Sequence, residues 1–200
     1  MQSKYSLKNV ITLTLLLTIN LLYAQQGTYR WDVKLGIDTA GQRIYKKKYK
    51  AEKETVQNLS SKTANPKPSN EERKKGLRAE AEKRKVTVIG YVTDTGTEED
   101  GDYHLVIKAL KGSKTLIAEI PDPNTPKIKN FPGYEAAFKK GRKEIDDNIG
   151  EPGSAVKPLA KKRKVKITGY VFFDKTAHGN GHADNDVEIH PVLEIKVLDQ

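Results

Sequence analysis

The sequence contains no cysteine. This absence excludes disulfide bonds, catalysis by a thiolate, and attachment of a lipid to a cysteine after export. Aromatic residues are also few, at 7% of the chain with a single tryptophan. The stacking platform typical of proteins that bind single-stranded nucleic acid is therefore sparse, and the stability of the fold must come from an aliphatic core.

Only one long apolar run occurs, and it lies near the start of the chain. Lys4 and Lys8 precede an uncharged run from Val10 to Tyr23, and Ala24 is followed by two glutamines. The run is about 14 residues long, shorter than the roughly 20 that span a bilayer. The pattern predicts a signal peptide over residues 1–24 and export to the periplasm or the medium without a stable membrane anchor. A retained transmembrane anchor is the alternative.

The chain has a surplus of basic residues, with a formal net charge of +10. Removal of Lys4 and Lys8 with the signal peptide would lower this charge to +8, because 10 − 2 = 8. Such a surplus favours anionic partners, among them nucleic acid, acidic glycans and membrane headgroups. The length of 200 residues, with 36% hydrophobic content, predicts one globular domain.

Composition divides the exported part of the chain into three segments. In residues 25–44, apolar side chains from Tyr29 to Ile37 alternate with polar ones, which predicts a short strand that docks on the main domain. Residues 45–84 are basic and have few apolar side chains, so they predict a largely disordered linker, with a polyanion-binding face as the alternative. Residues 85–200 predict the folded domain.

The folded domain has a mainly β pattern with one helix. Alternating segments predict three strands, then a helix within residues 134–148, then two more strands that form a C-terminal hairpin. This order, β-β-β-α-β-β, is typical of an OB-like five-stranded barrel. Two strands are near-copies, KVTVIGYV at 85–92 and KVKITGYV at 164–171. Each has a glycine at the same internal position, which predicts adjacent antiparallel strands that close the barrel.

Ionisable side chains on three strands form the first candidate site. A two-residue turn at Gly112 and Ser113 would make His104 and Glu119 diagonal neighbours on one strand face. Glu188 and His190 share a face of the last strand because their spacing is two. A histidine beside a carboxylate can act as a general base or a metal ligand. The candidate ligand-binding residues are Asp102, His104, Glu119, Glu188 and His190; an ordinary exposed polar face is the alternative.

The loop HGNGHADND is the second candidate site. It places oxygen and nitrogen ligands close together, and its glycines would let the backbone fold around a divalent metal. Its candidate metal ligands are His178, His182, Asp184 and Asp186. The spacing matches no known ligand motif, so a mobile hairpin loop is the alternative. No other cofactor is predicted.

Several segments resemble a family of secreted bacterial proteins that has an OB-like domain and no assigned activity. These segments are WDVKLGID, EEDGDYHLVI, LIAEIPDP, ITGYVFFD and VEIHPVLEI. The resemblance implies export and a domain boundary, and it implies no chemistry. The positions that match are Trp31, Asp102, His104, Glu119, Pro121, His178, Glu188, His190 and Pro191. The chain departs from the family at His182 and Asp184, which have no equivalents there.

These patterns predict an exported binding or accessory module rather than an enzyme. Its ligand would be anionic, either an oligosaccharide or a nucleic acid, because OB barrels bind such polymers. The alternative is a metal-dependent hydrolase, a phosphodiesterase or nuclease, that uses His104, Glu119, Glu188 and His190. The sequence has no phosphate-binding glycine loop and no serine nucleophile motif.

Overall fold

The structure is a computed structural model that describes residues 30–46, 49–69, 71, 76–174 and 180–198. The described chain is mainly β, with one six-stranded mixed sheet. Its strands are β1 (Glu52–Lys53), β2 (Lys85–Thr97), β3 (Tyr103–Ala109), β4 (Thr115–Ile120), β5 (Lys157–Phe173) and β6 (Val187–Val197). Its α-helices are α1 (Trp31–Lys34), α2 (Thr39–Tyr45), α3 (Val56–Leu59) and α4 (Pro132–Asn148), and 3-10 helices span Glu80–Glu82 and Pro126–Asn130.

Five of the strands form a closed ring in the order β2-β3-β4-β6-β5, with β5 returning to β2. Strands β4 and β6 are parallel, and the other neighbours in the ring are antiparallel. Helix α4 lies between β4 and β5 in the sequence, so the predicted order β-β-β-α-β-β is confirmed. Aliphatic and aromatic side chains from all five strands and from α4 fill the core.

The two near-copy strands pair as predicted. Val86 is opposite Gly169, and Gly90 is opposite Val165, in an antiparallel register. A Cβ atom on Gly169 would lie 2.5 Å from the carbonyl oxygen of Pro191, and one on Gly90 would lie 2.8 Å from that of Lys108. Both glycines therefore let a neighbouring strand approach closely where the ring curves.

The prediction of a strand at the amino-terminal segment is wrong, because residues 31–34 and 39–45 are helical. Gly36 turns the chain with φ of 75° between the two helices. Asp38 then caps α2, since its side chain accepts a hydrogen bond from the Gly41 N–H. Val33 and Leu35 are nevertheless buried, so the segment packs on the ring through its apolar residues in a helical conformation.

The described part of residues 45–84 also packs on the ring. Val56 and Leu59 of α3 are buried, and so are the charged side chains of Arg78 and Glu82. Arg78 donates to the carbonyl oxygen of Val33 at 2.6 Å. These contacts differ from the expected solvated linker, because ion pairs and backbone acceptors bury charges that composition alone places in solvent. The division of the chain at residues 44 and 84 stays a prediction.

The predicted signal peptide, residues 1–24, lies outside the described residues. Within the part of the chain that the structure describes, no helix is long and apolar enough to span a bilayer.

Candidate functional site

Residues from three strands meet on one face of the ring, outside its hydrophobic core. His104 on β3 is opposite Glu119 on β4. Glu188 on β6 is opposite Ile117 of β4 on one side and Phe172 of β5 on the other. The alternation of β-strand side chains places these residues on the same face. The ring therefore brings together residues that lie far apart in the sequence.

The β3–β4 register differs from the predicted one by two residues. Lys108 pairs with Thr115, and the Ala109 N–H donates to the Lys114 carbonyl at 2.9 Å. The connection is therefore longer than a two-residue turn. His104 and Glu119 consequently lie directly opposite each other and not on a diagonal. A shift of two residues keeps each side chain on the same face of its strand. The prediction that His104 and Glu119 are neighbours is therefore confirmed, although the predicted register is wrong.

The alternative, an ordinary exposed polar face, does not describe these side chains. His104 is 3% exposed, Glu119 is 6% exposed and His190 is fully buried. Trp31 and Lys34 of α1 line the same cavity as the strand residues. Strand alternation identifies which residues face away from the core, but it does not reveal that a distant segment covers that face.

His104 is held between two carboxylates. Its Nδ1 lies 3.1 Å from Oε1 of Glu119 and 2.9 Å from Oε1 of Glu98. Its Nε2 is buried and has no hydrogen-bond partner among the residues that the structure describes. Most buried polar atoms have a partner, so this nitrogen is an open position for a ligand or a water molecule.

His190 has partners at both ring nitrogens. Its Nδ1 donates to the carbonyl oxygen of Lys34 at 2.7 Å, and a carbonyl can only accept. Its Nε2 lies 3.1 Å from Oδ2 of Asp102 and 3.0 Å from Oε2 of Glu119. Burial lowers the pKa of His190, but the hydrogen bonds to both carboxylates outweigh burial and raise that pKa to about 9. His190 is therefore an imidazolium at neutral pH.

Lys34 brings a second positive charge from α1. Its Nζ lies 2.7 Å from Oδ2 of Asp100, 3.5 Å from Oε2 of Glu119 and 3.6 Å from Oδ2 of Asp102. Burial opposes the charged ammonium, but the three carboxylates raise the pKa of Lys34 above its ordinary value. The lysine therefore stays charged and ties α1 to the strands.

The two glutamates of the cluster have opposite pKa shifts. Burial acts to raise the pKa of Glu119, but hydrogen bonds from His104 and His190 hold it well below its usual value. Burial raises the pKa of Glu188 well above its usual value, and the negative charges of Glu119 and Asp174 add to this effect. Glu119 is therefore ionised at neutral pH, while protonation of Glu188 is favoured.

A cavity of about 490 Å³ opens onto this cluster. Six carboxylic side chains line it beside one lysine, so the cavity is acidic although the chain as a whole is basic. Its lining consists of Trp31, Lys34, Glu98, Glu99, Asp100, His104, Ile117, Glu119, Phe172, Asp174 and Glu188. The sequence patterns do not single out Lys34 or Glu98; the acidic run 98–100, just before Asp102, is the only local clue.

Two groups of three ligand atoms in the cluster are close enough to hold a metal ion. They are Glu98, His104 and Glu119, and Asp102, Glu119 and His190. Within each group the ligand atoms lie within 4.8 Å of one another. Glu119 belongs to both groups, because its two oxygens face different histidines.

The loop HGNGHADND forms no such group among its described residues, and His178 lies outside them. Asp184 is paired with Lys114, and Asp186 is paired with Lys67. His182 is exposed. The lysine partners satisfy these carboxylates, so the structure does not bring His182, Asp184 and Asp186 together as metal ligands.

Comparisons with known proteins add little to this description. No protein family and no curated protein matches the chain. One similar solved structure is a chain described as an aspartyl-tRNA synthetase from Leishmania major Friedlin. The match has 16% identity and a TM-score of 0.36, and it covers 58% of this chain but only 18% of that one. A likeness at this level supports no conclusion about function.

Proposed function

We propose that this chain is an exported, OB-like binding module whose acidic cavity binds a divalent cation. The ring order and the helix between its third and fourth strands support the OB-like assignment. OB folds bind ligands on the face of their second and third strands and in the flanking loops. Here β3 and β4 hold that position, and the cavity lies on their outer face.

The environment of His104 is the observation on which the proposal rests. Its Nδ1 lies 2.9 and 3.1 Å from two carboxylate oxygens. Two ligand atoms that bind the same metal ion, each through a bond of about 2.1 Å, lie at a similar distance from each other. A cation at this position would be bound by Nδ1, so the unpartnered Nε2 of the same ring would not be one of its ligands. A cation at Glu98, His104 and Glu119 would also offset the negative charge of the cavity.

An anionic ligand fits this cavity poorly. Glu98, Asp100 and Glu119 would repel it, and Lys34 is already surrounded by carboxylates. His190 also has both nitrogens engaged. The mixture of imidazole and carboxylate ligands suits Mn²⁺, Fe²⁺ or Zn²⁺ better than an all-oxygen ion such as Mg²⁺.

Calorimetry on the full chain tests this proposal. Protein treated with a chelator and then dialysed should bind Mn²⁺ or Zn²⁺ saturably, with one ion per chain. Glu119→Gln should weaken binding by about tenfold or more, since loss of groups around a metal costs 10- to 100-fold in affinity. Glu194→Gln is the matched control, because it removes the same charge from an exposed glutamate of the ring that does not line the cavity. Absence of binding for every divalent ion would exclude a cation site.

The size of the cavity favours a second function, that of a metal-dependent hydrolase. Its volume of about 490 Å³ exceeds that of a hydrated ion and matches pockets for small molecules. A bound ion would offset the carboxylate charge that otherwise repels an anion, and it would activate water for attack on a phosphodiester held at the ion. Glu188 and His190 would be the neighbouring acid and positive charge. Metal-dependent hydrolysis of bis(p-nitrophenyl) phosphate would support this function, and binding without turnover would contradict it.

A further inference from the structure

A second charged surface lies on the outer face of the sheet, where β6, β5, β2 and β3 are neighbours. Lys166 on β5 is directly opposite Lys196 on β6. On its other side Lys166 is opposite Ile89 of β2. Lys166, Lys196 and Ile89 are all exposed, with Ile89 at 39%. An exposed isoleucine therefore lies beside Lys166, with Lys196 one strand further away.

Three further lysines lie around Tyr91, which is two residues after Ile89 on β2. Tyr91 on β2 is opposite Lys164 of β5 on one side and Lys108 of β3 on the other. The Nζ of Lys162 lies 4.3 Å from the centre of the Tyr91 ring. We call this surface the lysine face; it consists of Lys108, Lys162, Lys164, Lys166 and Lys196 around Ile89 and Tyr91.

This arrangement of charges opposes folding. Like charges directly opposite on neighbouring strands are destabilising, and strands lie only about 4.8 Å apart. Acidic residues near this surface include Glu144, 3.3 Å from Lys196, and Glu194, opposite Thr168. Glu54 bonds to the Thr87 backbone but pairs its carboxylate with Arg84, and Asp94 is opposite Val106. Of these acids, Glu144 is paired with Lys196 and Glu54 is paired with Arg84. The other lysines of this surface outnumber the remaining carboxylates, so an anionic polymer would meet a positive surface on the sheet.

We propose that the lysine face binds single-stranded nucleic acid. Lysines at neighbouring strand positions can contact successive phosphates, while Ile89 and Tyr91 provide the apolar and aromatic surface on which bases pack. An acidic glycan would use the lysines but gain little from an exposed isoleucine. The cavity side of the ring, on the outer face of β3 and β4, does not suit this ligand. Trp31 and Lys34 of α1 line the cavity there, and most of its other lining residues are carboxylic. This proposal is independent of the cation site.

Fluorescence anisotropy with a labelled oligo(dT) tests the proposal on the full chain. The test variant replaces Lys108, Lys162, Lys166 and Lys196 with glutamine. The control variant makes the same change of charge at Lys127, Lys129, Lys139 and Lys140, which lie on the second 3-10 helix and α4. Each phosphate contact that is lost should lower the salt slope of log K by about 0.7. The slope should therefore fall by roughly 3 in the test variant and change little in the control.

Three results would overturn the proposal. The first is no oligo(dT) binding by the unmodified chain at low salt. The second is an equal loss of affinity in the test and control variants. The third is binding to heparin with no binding to oligo(dT), which would assign the surface to an acidic glycan. Ile89→Ser separates base contact from charge, because it should weaken oligo(dT) binding several-fold and leave the salt slope unchanged. Circular dichroism checks that each variant is folded.

Discussion

His104 on β3 and Glu119 on β4 lie directly opposite each other, with Nδ1 of the histidine 3.1 Å from Oε1 of the glutamate. Both side chains are buried. Their relative position is fixed by the pairing of two strands within a closed ring, so it does not depend on a ligand. A site on rigid strands is better preorganised than a site in a loop.

The strand residues should therefore matter more for cation binding than the histidine-rich loop. We expect His104→Ala to weaken Mn²⁺ or Zn²⁺ binding by about tenfold or more. His182→Ala should leave it unchanged, because His182 is exposed and belongs to no ligand group among the described residues. Calorimetry on both variants makes the comparison. If only His182→Ala lost binding, the cation site would lie in the loop and not on the strands.

Stability should fall as the pH rises above neutrality. The pKa of His190 is raised from 6.5 to about 9 in the folded chain. The folded state therefore holds a proton that the unfolded state releases, and the stabilisation is complete below pH 6.5 and lost as the pH approaches 9. The loss should be roughly 3 kcal/mol at most, since one pKa unit corresponds to about 1.4 kcal/mol. Urea unfolding between pH 6 and 9.5 in chelator measures it.

Two variants identify the source of this pH dependence. His190→Gln should flatten the curve between pH 6.5 and 9, and His182→Gln should leave it intact. Nuclear magnetic resonance titration of the His190 ring measures its pKa directly in the unmodified chain, so it does not depend on whether a variant folds. A ring that titrates near pH 6.5 would contradict the assignment of His190 as an imidazolium.

The buried carboxylate of Glu82 should contribute strongly to stability. It accepts hydrogen bonds from Arg30 at 2.7 and 2.8 Å, from the Ala79 N–H and from the Phe173 N–H. Glu82→Ala removes the carboxylate partner of these donors and leaves Arg30 with only the carbonyl oxygens of Leu77 and Phe173. Loss of one partner of a buried ion pair costs about 3–5 kcal/mol. Glu80→Ala is the control, because Glu80 makes an exposed pair with Lys83, and such a pair contributes under about 1 kcal/mol. Equal effects in urea unfolding would contradict this account.

Gly169 should not tolerate a side chain. An added Cβ would lie 2.5 Å from both Ile189 Cγ2 and the Pro191 carbonyl oxygen. We expect Gly169→Ala to destabilise the fold by about 1–3 kcal/mol through overpacking. Gly153→Ala should have little effect, because no atom lies within 4 Å of its added Cβ. Thermal unfolding compares the melting temperatures of the two variants. An unchanged melting temperature in Gly169→Ala would contradict this prediction and show that β5 and β6 can move apart at this point.

Local patterns in the sequence predict much of the ring. Period-two alternation locates the main strands, and the two near-copy segments identify the antiparallel pair of β2 and β5. Alternation gives the wrong prediction at residues 29–37, where it indicates a strand. The buried Val33 lies in helix α1, and the buried Leu35 follows its last residue. A short alternating segment fits a strand as well as a tightly turned helical segment, and Gly36 with Asp38 decides between them.

The candidate site is predictable only in part. His104, Glu119, Glu188 and His190 can be chosen from the sequence because alternation places each of them opposite an apolar set on its strand. Their burial cannot be predicted in this way, because it depends on α1, which lies 70 or more residues away along the chain. Lys34 is not singled out because it is an ordinary polar residue of the predicted strand at 29–37, and Glu98 is not singled out because it belongs to no strand pattern.

The sequence by itself determined the basic charge, the absence of thiol chemistry, the strand order and the face on which each strand residue lies. These features depend on composition or on the local geometry of the backbone, which repeats every two residues in a strand. Only the tertiary structure decided that the polar face lines an acidic cavity and that the lysines of β3, β5 and β6 form one surface around Tyr91. Both features arise from contacts between distant segments, and their energies depend on burial and on charges that no local pattern contains.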